Sequence, residues 1–146
     1  MSSHSAHRRL GRSALAIFAG LLAGAALSLG TDQVLHVLAV YPPWGEPMFD
    51  PALNALALAY RCVYSVLASY IAARLAPSAP MLYALSLGAL NFVVSAAGAF
   101  VTITKYDLGP DWYPVALALS ALPCAWLGGA LYRVRNFAVG QPSVTR

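Results

Sequence analysis

"DPALNALALAYRCVYSVLASYIAARLAPSAP", residues 50–80, decides how the chain is read. It opens on Asp-Pro, the pairing that starts a helix: an aspartate oxygen accepts orphan N–H groups at the N-cap, and proline fits the first helical position, where its missing N–H costs nothing. It closes on "APSAP", whose prolines cannot continue a helix and whose length allows only a tight connection. Between these signals lie about 25 residues, roughly 37 Å of helix, which exceeds the ~30 Å hydrocarbon layer of a bilayer. No polar face runs along this stretch, and Arg61 is the single charge in its middle. Such a segment is a transmembrane helix.

The same reading extends outward in both directions. The chain is 60% hydrophobic and 10% charged, too little polar surface to cover a soluble domain of 146 residues. At ~20 apolar residues per span, that length holds four helices and no separate soluble domain. The expected spans are 13–41, 51–76, 81–104 and 112–132, flanked by basic tails over 1–12, taken as disordered, and 133–146. The fold class is all-α: an integral membrane protein with four transmembrane helices in an antiparallel up-down bundle. The N-terminus imitates a signal peptide, but its apolar run exceeds the usual ~7–15 residues, so it is read as a retained first helix. Between spans one and two, "YPPWGEPMFDP" forces a loop, and "KYDLGPDWYP" repeats that chemistry between spans three and four, with Asp111 placed as an N-cap.

Charge fixes the orientation. Arg8, Arg9, Arg12, Arg74, Arg133 and Arg135 fall on one side of this topology, and Lys105 alone among basic residues falls in the two opposite loops. The positive-inside rule then places both termini in the cytoplasm of a bacterial inner membrane, with Trp44, Glu46, Asp50, Asp111 and Trp112 on an acidic, aromatic outer surface. The formal charge of +4 therefore reflects topology and not a nucleic-acid stripe.

Helices in lipid associate through small residues and buried polar contacts. Span one steps through Gly20, Gly24, Ser28, Asp32 and His36 at intervals of four, and span three through Gly88, Asn91, Ser95 and Gly98. These seams are expected to pack the bundle, with Gly20 and Gly24 alternatively joining two copies. "PALNALALAYRC" and "PVALALSALPC" each follow an acidic, aromatic loop and each reaches a cysteine, a weak sign of tandem duplication.

The ridge on span one turns ionisable toward its outer end. At ~1.5 Å per residue, Asp32 lies about 13 Å below Tyr41 and Arg61 about 15 Å below Pro51. The two meet at one depth, and an isolated charge there costs ~2.5–3.5 kcal/mol on insertion scales. An Asp32–Arg61 ion pair resolves that cost, extended by His36, Tyr60 and Tyr64, with His36 near the level of Asn54. One reading of this centre is a structural bridge that fixes helix register. The other is an intramembrane functional site in which His36 titrates near neutral pH and Arg61 holds an anionic group.

Catalytic signatures are missing: there is no H-E-x-x-H, no phosphate-binding glycine loop and no G-x-S-x-G elbow. No metal, haem or other cofactor is expected. Cys62 and Cys124 lie inside spans without a CxxC spacing and are read as buried free thiols.

"YPPWGEPM", "LAYRCVYSVLASYIAARLAPSAPM", "GPDWYP" and "ALPCAWLGG" together resemble a family of small bacterial inner-membrane proteins with four transmembrane helices and no known function. The resemblance covers roughly residues 32–129. It implies the four-span topology and assigns no activity to any residue here. The expected function is thus a non-enzymatic accessory or assembly subunit that offers its outer loops and small-residue faces to a membrane-protein partner or a second copy. The alternative is a small proton-coupled carrier working through Asp32, His36 and Arg61. The lipid bilayer is a partner in either case, and nucleic acid in neither.

Overall fold

In a computed structural model of the chain, which describes residues 3–139 with side chains over 11–138, four helices follow one another: α1 (Ser3–Val37), α2 (Pro51–Leu75), α3 (Pro80–Lys105) and α4 (Trp112–Val139). Each contains a stretch long and apolar enough to cross a membrane. Helices satisfy every backbone hydrogen bond internally, which is what a lipid environment demands of a spanning segment.

Consecutive helices run antiparallel, as expected. Gly20 faces Ala68 and Ala72 while Gly24 faces Ala68 and Tyr64; Gly129 faces Met81 and Ala84 while Gly88 faces Ala121 and Ala125. The order around the bundle is α1–α2–α4–α3, with α2 also touching α3 across the middle and α1 making no contact with α4 among the described residues. The α1–α3 side is the thinnest of the four. Near the basic end this side is closed by a hydroxyl pair, Ser13 Oγ to Tyr83 OH at 2.5 Å.

The packing follows the inverse of a soluble core. The buried apolar residues are mostly alanines, among them Ala16, Ala57, Ala72, Ala84, Ala118 and Ala125, whereas Phe18, Val63, Val93, Phe100 and Leu119 point outward. Large side chains lose nothing against lipid, so helices gain by bringing small ones together. At Gly20 an added Cβ would stand 2.6 Å from the Ala68 carbonyl oxygen, and at Gly128 it would meet the Val66 carbonyl and stand 2.8 Å from the Tyr70 amide nitrogen. Gly20 and Gly24 are consumed inside the protomer, so they do not form a face for a second copy. Gly98 corrects the expected seam more sharply: nothing lies within 4 Å of its Cβ position, which borders an open cavity instead of a neighbouring helix.

Helix boundaries also differ from expectation at both ends of α1. The helix begins by Ser3, inside the stretch expected as a disordered tail, and it stops at Val37 rather than at Tyr41. The early stop has a local cause. Ala39 adopts φ 55°, and Val40 N–H donates to the Leu35 carbonyl while Ala39 N–H donates to that of His36, both at 3.0 Å. This is a Schellman ending built on alanine instead of glycine. A left-handed alanine costs on the order of 1 kcal/mol relative to glycine, so Ala39→Gly is expected to raise the melting temperature in detergent by a few degrees; a lower one would contradict the assignment. At the other end of the chain α4 continues to Val139, past the expected limit of 132, and residues 140–146 lie outside the described residues.

Candidate functional site

Two loops meet at the acidic end and shape what lies beneath them. Pro43, Trp44, Gly45 and Glu46 form a tight turn closed by Glu46 N–H on the Pro43 carbonyl at 3.0 Å. Gly45 takes φ 88°, the conformation a type II turn requires at its third residue. The turn presents Trp44 so that its ring stacks on His36 at 3.9 Å between centroids. The second loop joins the first through Met48 N–H on the Leu108 carbonyl, 2.8 Å. Gly109 is required beside this bond, since a Cβ there would stand 2.8 Å from the Met48 carbonyl oxygen.

Several expected residues turn out to hold this end together. Asp50 caps α2, its Oδ1 accepting from Ala52 N–H at 2.8 Å and Leu53 N–H at 3.4 Å. Asn54 spends both amide protons on the loop, donating to the Met48 and Asp50 carbonyls at 2.8 Å each. Tyr41 folds back over α2, and burial pushes its phenol above the ordinary value. Asp111 makes no side-chain hydrogen bond to the first turn of α4 among the described residues, so its expected capping role is not realised.

Beneath the loops lies the polar centre. Arg61 Nη2 donates to Asp32 Oδ2 at 2.5 Å, and the Tyr60 hydroxyl donates to Oδ1 of the same carboxylate. Asp32 is only 4% exposed. The pair forms although α1 ends four residues earlier than expected, at Val37. Arg61 also lies against Tyr113 of α4, its Cζ 6.0 Å from the ring centroid. Three helices thus supply the centre, and its net charge is zero.

His36 does not extend this network. Its Nδ1–H donates to the Asp32 backbone carbonyl at 2.7 Å, and its ring is held between Trp44 and the edge of Tyr41. Tyr64 instead shares a hydroxyl contact with Thr31 at 2.9 Å. Tyr113, which the sequence analysis did not single out, belongs to the centre.

Cavities flank the centre on both sides. The larger, about 350 Å³, lies between all four helices. Its floor toward the basic end is Leu21, Ala68, Leu87 and Ala121, and its roof is Asp32, Arg61 and Ser95. Ser28, Asn91 and Ser95, expected as packing residues, line its walls. The second cavity, about 310 Å³, opens beneath the acidic loops along Thr102, Gly98 and Tyr113. Arg61, Ser95 and Leu117 line both, so the guanidinium stands at the partition between them. Its Nε–H is buried and without a partner among the described residues.

One further pair escaped the sequence reading. Cys62 on α2 and Cys124 on α4 are neighbours across the helix interface. Gly128 explains this, because its close approach to Val66 sets the two parallel helices in a register that brings residues one turn earlier together. Mild oxidation with copper-phenanthroline is expected to join the two thiols within one chain and shift its mobility on a non-reducing gel; cross-links only between chains would contradict the α2–α4 packing.

Among the described residues no group of three or more His, Cys, Asp or Glu side chains is placed to hold a metal ion. No family model, curated protein or solved structure matches the chain.

Proposed function

We propose that the chain is a small proton-coupled carrier of the bacterial cytoplasmic membrane, both termini facing the cytoplasm, in which Asp32, Tyr60 and Arg61 form an intramembrane gate. The observation that carries this reading is the partition at Arg61: two cavities, one beneath the acidic loops and one at mid-depth, are separated by a side chain held in place by a carboxylate. Protonating that carboxylate removes the charge that fixes Arg61, and a neutral ion pair is the cheapest closed state in a low-dielectric layer. The bias of arginines toward the end that holds both termini supports the orientation, and the resemblance to small four-span inner-membrane proteins supports the compartment.

The accessory-subunit reading is favoured by a different observation: Trp44, Phe49 and Trp112 stay exposed on the acidic loops, where a partner would cover them. Such a role needs no cavity beside a buried ion pair, and this sets it second.

Proteoliposomes loaded with a pH-sensitive dye test the carrier reading. Carboxylates, amines and neutral polyols are presented in turn, and one class is expected to acidify the lumen, with loss of the signal in Asp32→Asn and Arg61→Gln. Absence of protein-dependent flux for every class, in vesicles whose protein retains its helical circular dichroism, would contradict the reading.

A further inference from the structure

The larger cavity is amphipathic along its length. Its floor is apolar, formed by Leu21, Leu87 and Ala121, and its roof holds Arg61 and Ser95; among the described residues the buried Nε–H of that arginine has no partner. The serines on its walls do not forbid an alkyl chain, because a serine on a helix can return its proton to a carbonyl of its own preceding turn. The cavity is also within reach of the lipid. Above the Gly20–Leu87 contact, α1 and α3 barely touch, and the cavity is bordered there by Ala25 and Leu29, both exposed.

We infer that this cavity binds a medium-chain alkyl carboxylic acid, its carboxyl group at Arg61 and its chain directed toward Leu21, Leu87 and Ala121. This rests on the carrier reading and names its substrate class. The volume of about 350 Å³ falls at the lower end of the range for small-molecule sites, which suits a single short chain and not a two-chain lipid.

The electrostatics select the headgroup. Arg61 is already balanced by Asp32, so a second fixed anion would leave the centre with net negative charge inside the membrane. A carboxylic acid avoids this by arriving with its own proton, after which the two carboxyl groups share one proton beside the guanidinium, as closely spaced carboxylates do. A phosphate ester keeps at least one negative charge, an ammonium group is opposed by Arg61, and an alcohol brings no carboxyl group to share a proton with Asp32. The titratable and charged groups facing the shared proton are Asp32 on α1, Tyr60 and Arg61 on α2 and Tyr113 on α4, with Tyr41 above them; α3 contributes only the neutral Asn91 and Ser95. Binding is therefore stronger at acid pH.

The probe is decanoic acid carrying a terminal diazirine, photolysed with the purified full chain and mapped by peptide mass spectrometry. Labelling is expected at the cavity floor, competed by excess decanoic acid but not by decanol or decyltrimethylammonium, and several-fold stronger at pH 5.5 than at pH 7.5. Ser28→Leu, which fills the cavity from α1, should lower it at least tenfold while retaining the Cys62–Cys124 cross-link. Labels confined to lipid-facing positions such as Val93 and Leu119, or equal competition by decanol in the unmodified protein, would overturn the assignment. Specific labelling in a protein that moves no solute would leave the site standing and remove the carrier; flux of another solute class with no labelling would do the reverse.

Discussion

Arg61→Ala lowers the unfolding free energy by about 3–5 kcal/mol, because it leaves the Asp32 carboxylate buried with no cation beside it. Asp32→Ala strands Arg61 in the same way, though less severely, since the Arg61 side chain keeps 29% of its exposure and the second cavity gives it a route to water. The exchange Asp32→Arg with Arg61→Asp restores most of the loss if the pair itself is what matters. The check is a denaturation series in mixed micelles on all four proteins. Wild-type stability in both alanine variants would show that the bridge contributes nothing.

Gly128→Leu has an effect of similar size through a different cause. Its Cβ would press into the Val66 carbonyl and the Tyr70 amide, which are backbone atoms of α2 and cannot step aside. The helices must separate, and we expect a loss of ~3 kcal/mol or more together with loss of the Cys62–Cys124 cross-link. Gly98→Leu serves as the contrast. It sits on an equally glycine-rich helix but meets only open space, so its stability should stay within about 0.5 kcal/mol of wild type. Equal damage from the two substitutions would mean that the helix pairing is wrong.

Much of this architecture is legible in the residues. Asp50 and Pro51 announce the start of α2 because capping is local chemistry, and the lengths of the apolar runs count the spans because bilayer thickness is fixed. The Asp32–Arg61 pair follows from depth alone, since two opposite charges on antiparallel helices have few other partners inside a membrane. What lay out of reach was the rotation of each helix about its axis. Spacing by three and four marks Gly88 and Gly98 alike as seam residues, yet Gly88 packs on Ala121 and Ala125 of α4 while Gly98 borders the cavity beneath the acidic loops. Asn91 and Ser95, on the same helix, likewise line a cavity. The order α1–α2–α4–α3 is equally hidden, and with it the meeting of Cys62 with Cys124 and of Arg61 with Tyr113. His36 was misplaced for a smaller reason: the left-handed Ala39 ends α1 early and frees Trp44 to cover the imidazole.

The central claim is that a path for solvent reaches the buried ion pair from the acidic end, and thiol accessibility tests it most directly. Cysteine is placed at position 95, on the partition between the two cavities, in a chain whose Cys62 and Cys124 are replaced by alanine. A membrane-impermeant methanethiosulfonate is then added from the acidic side, with Glu46→Cys as the fully exposed reference and Val93→Cys as the lipid-facing one. Reaction of Ser95→Cys within about a hundredfold of the Glu46→Cys rate is the predicted result; a Ser95→Cys as inert as Val93→Cys would show that the centre is dry and that the ion pair serves structure alone.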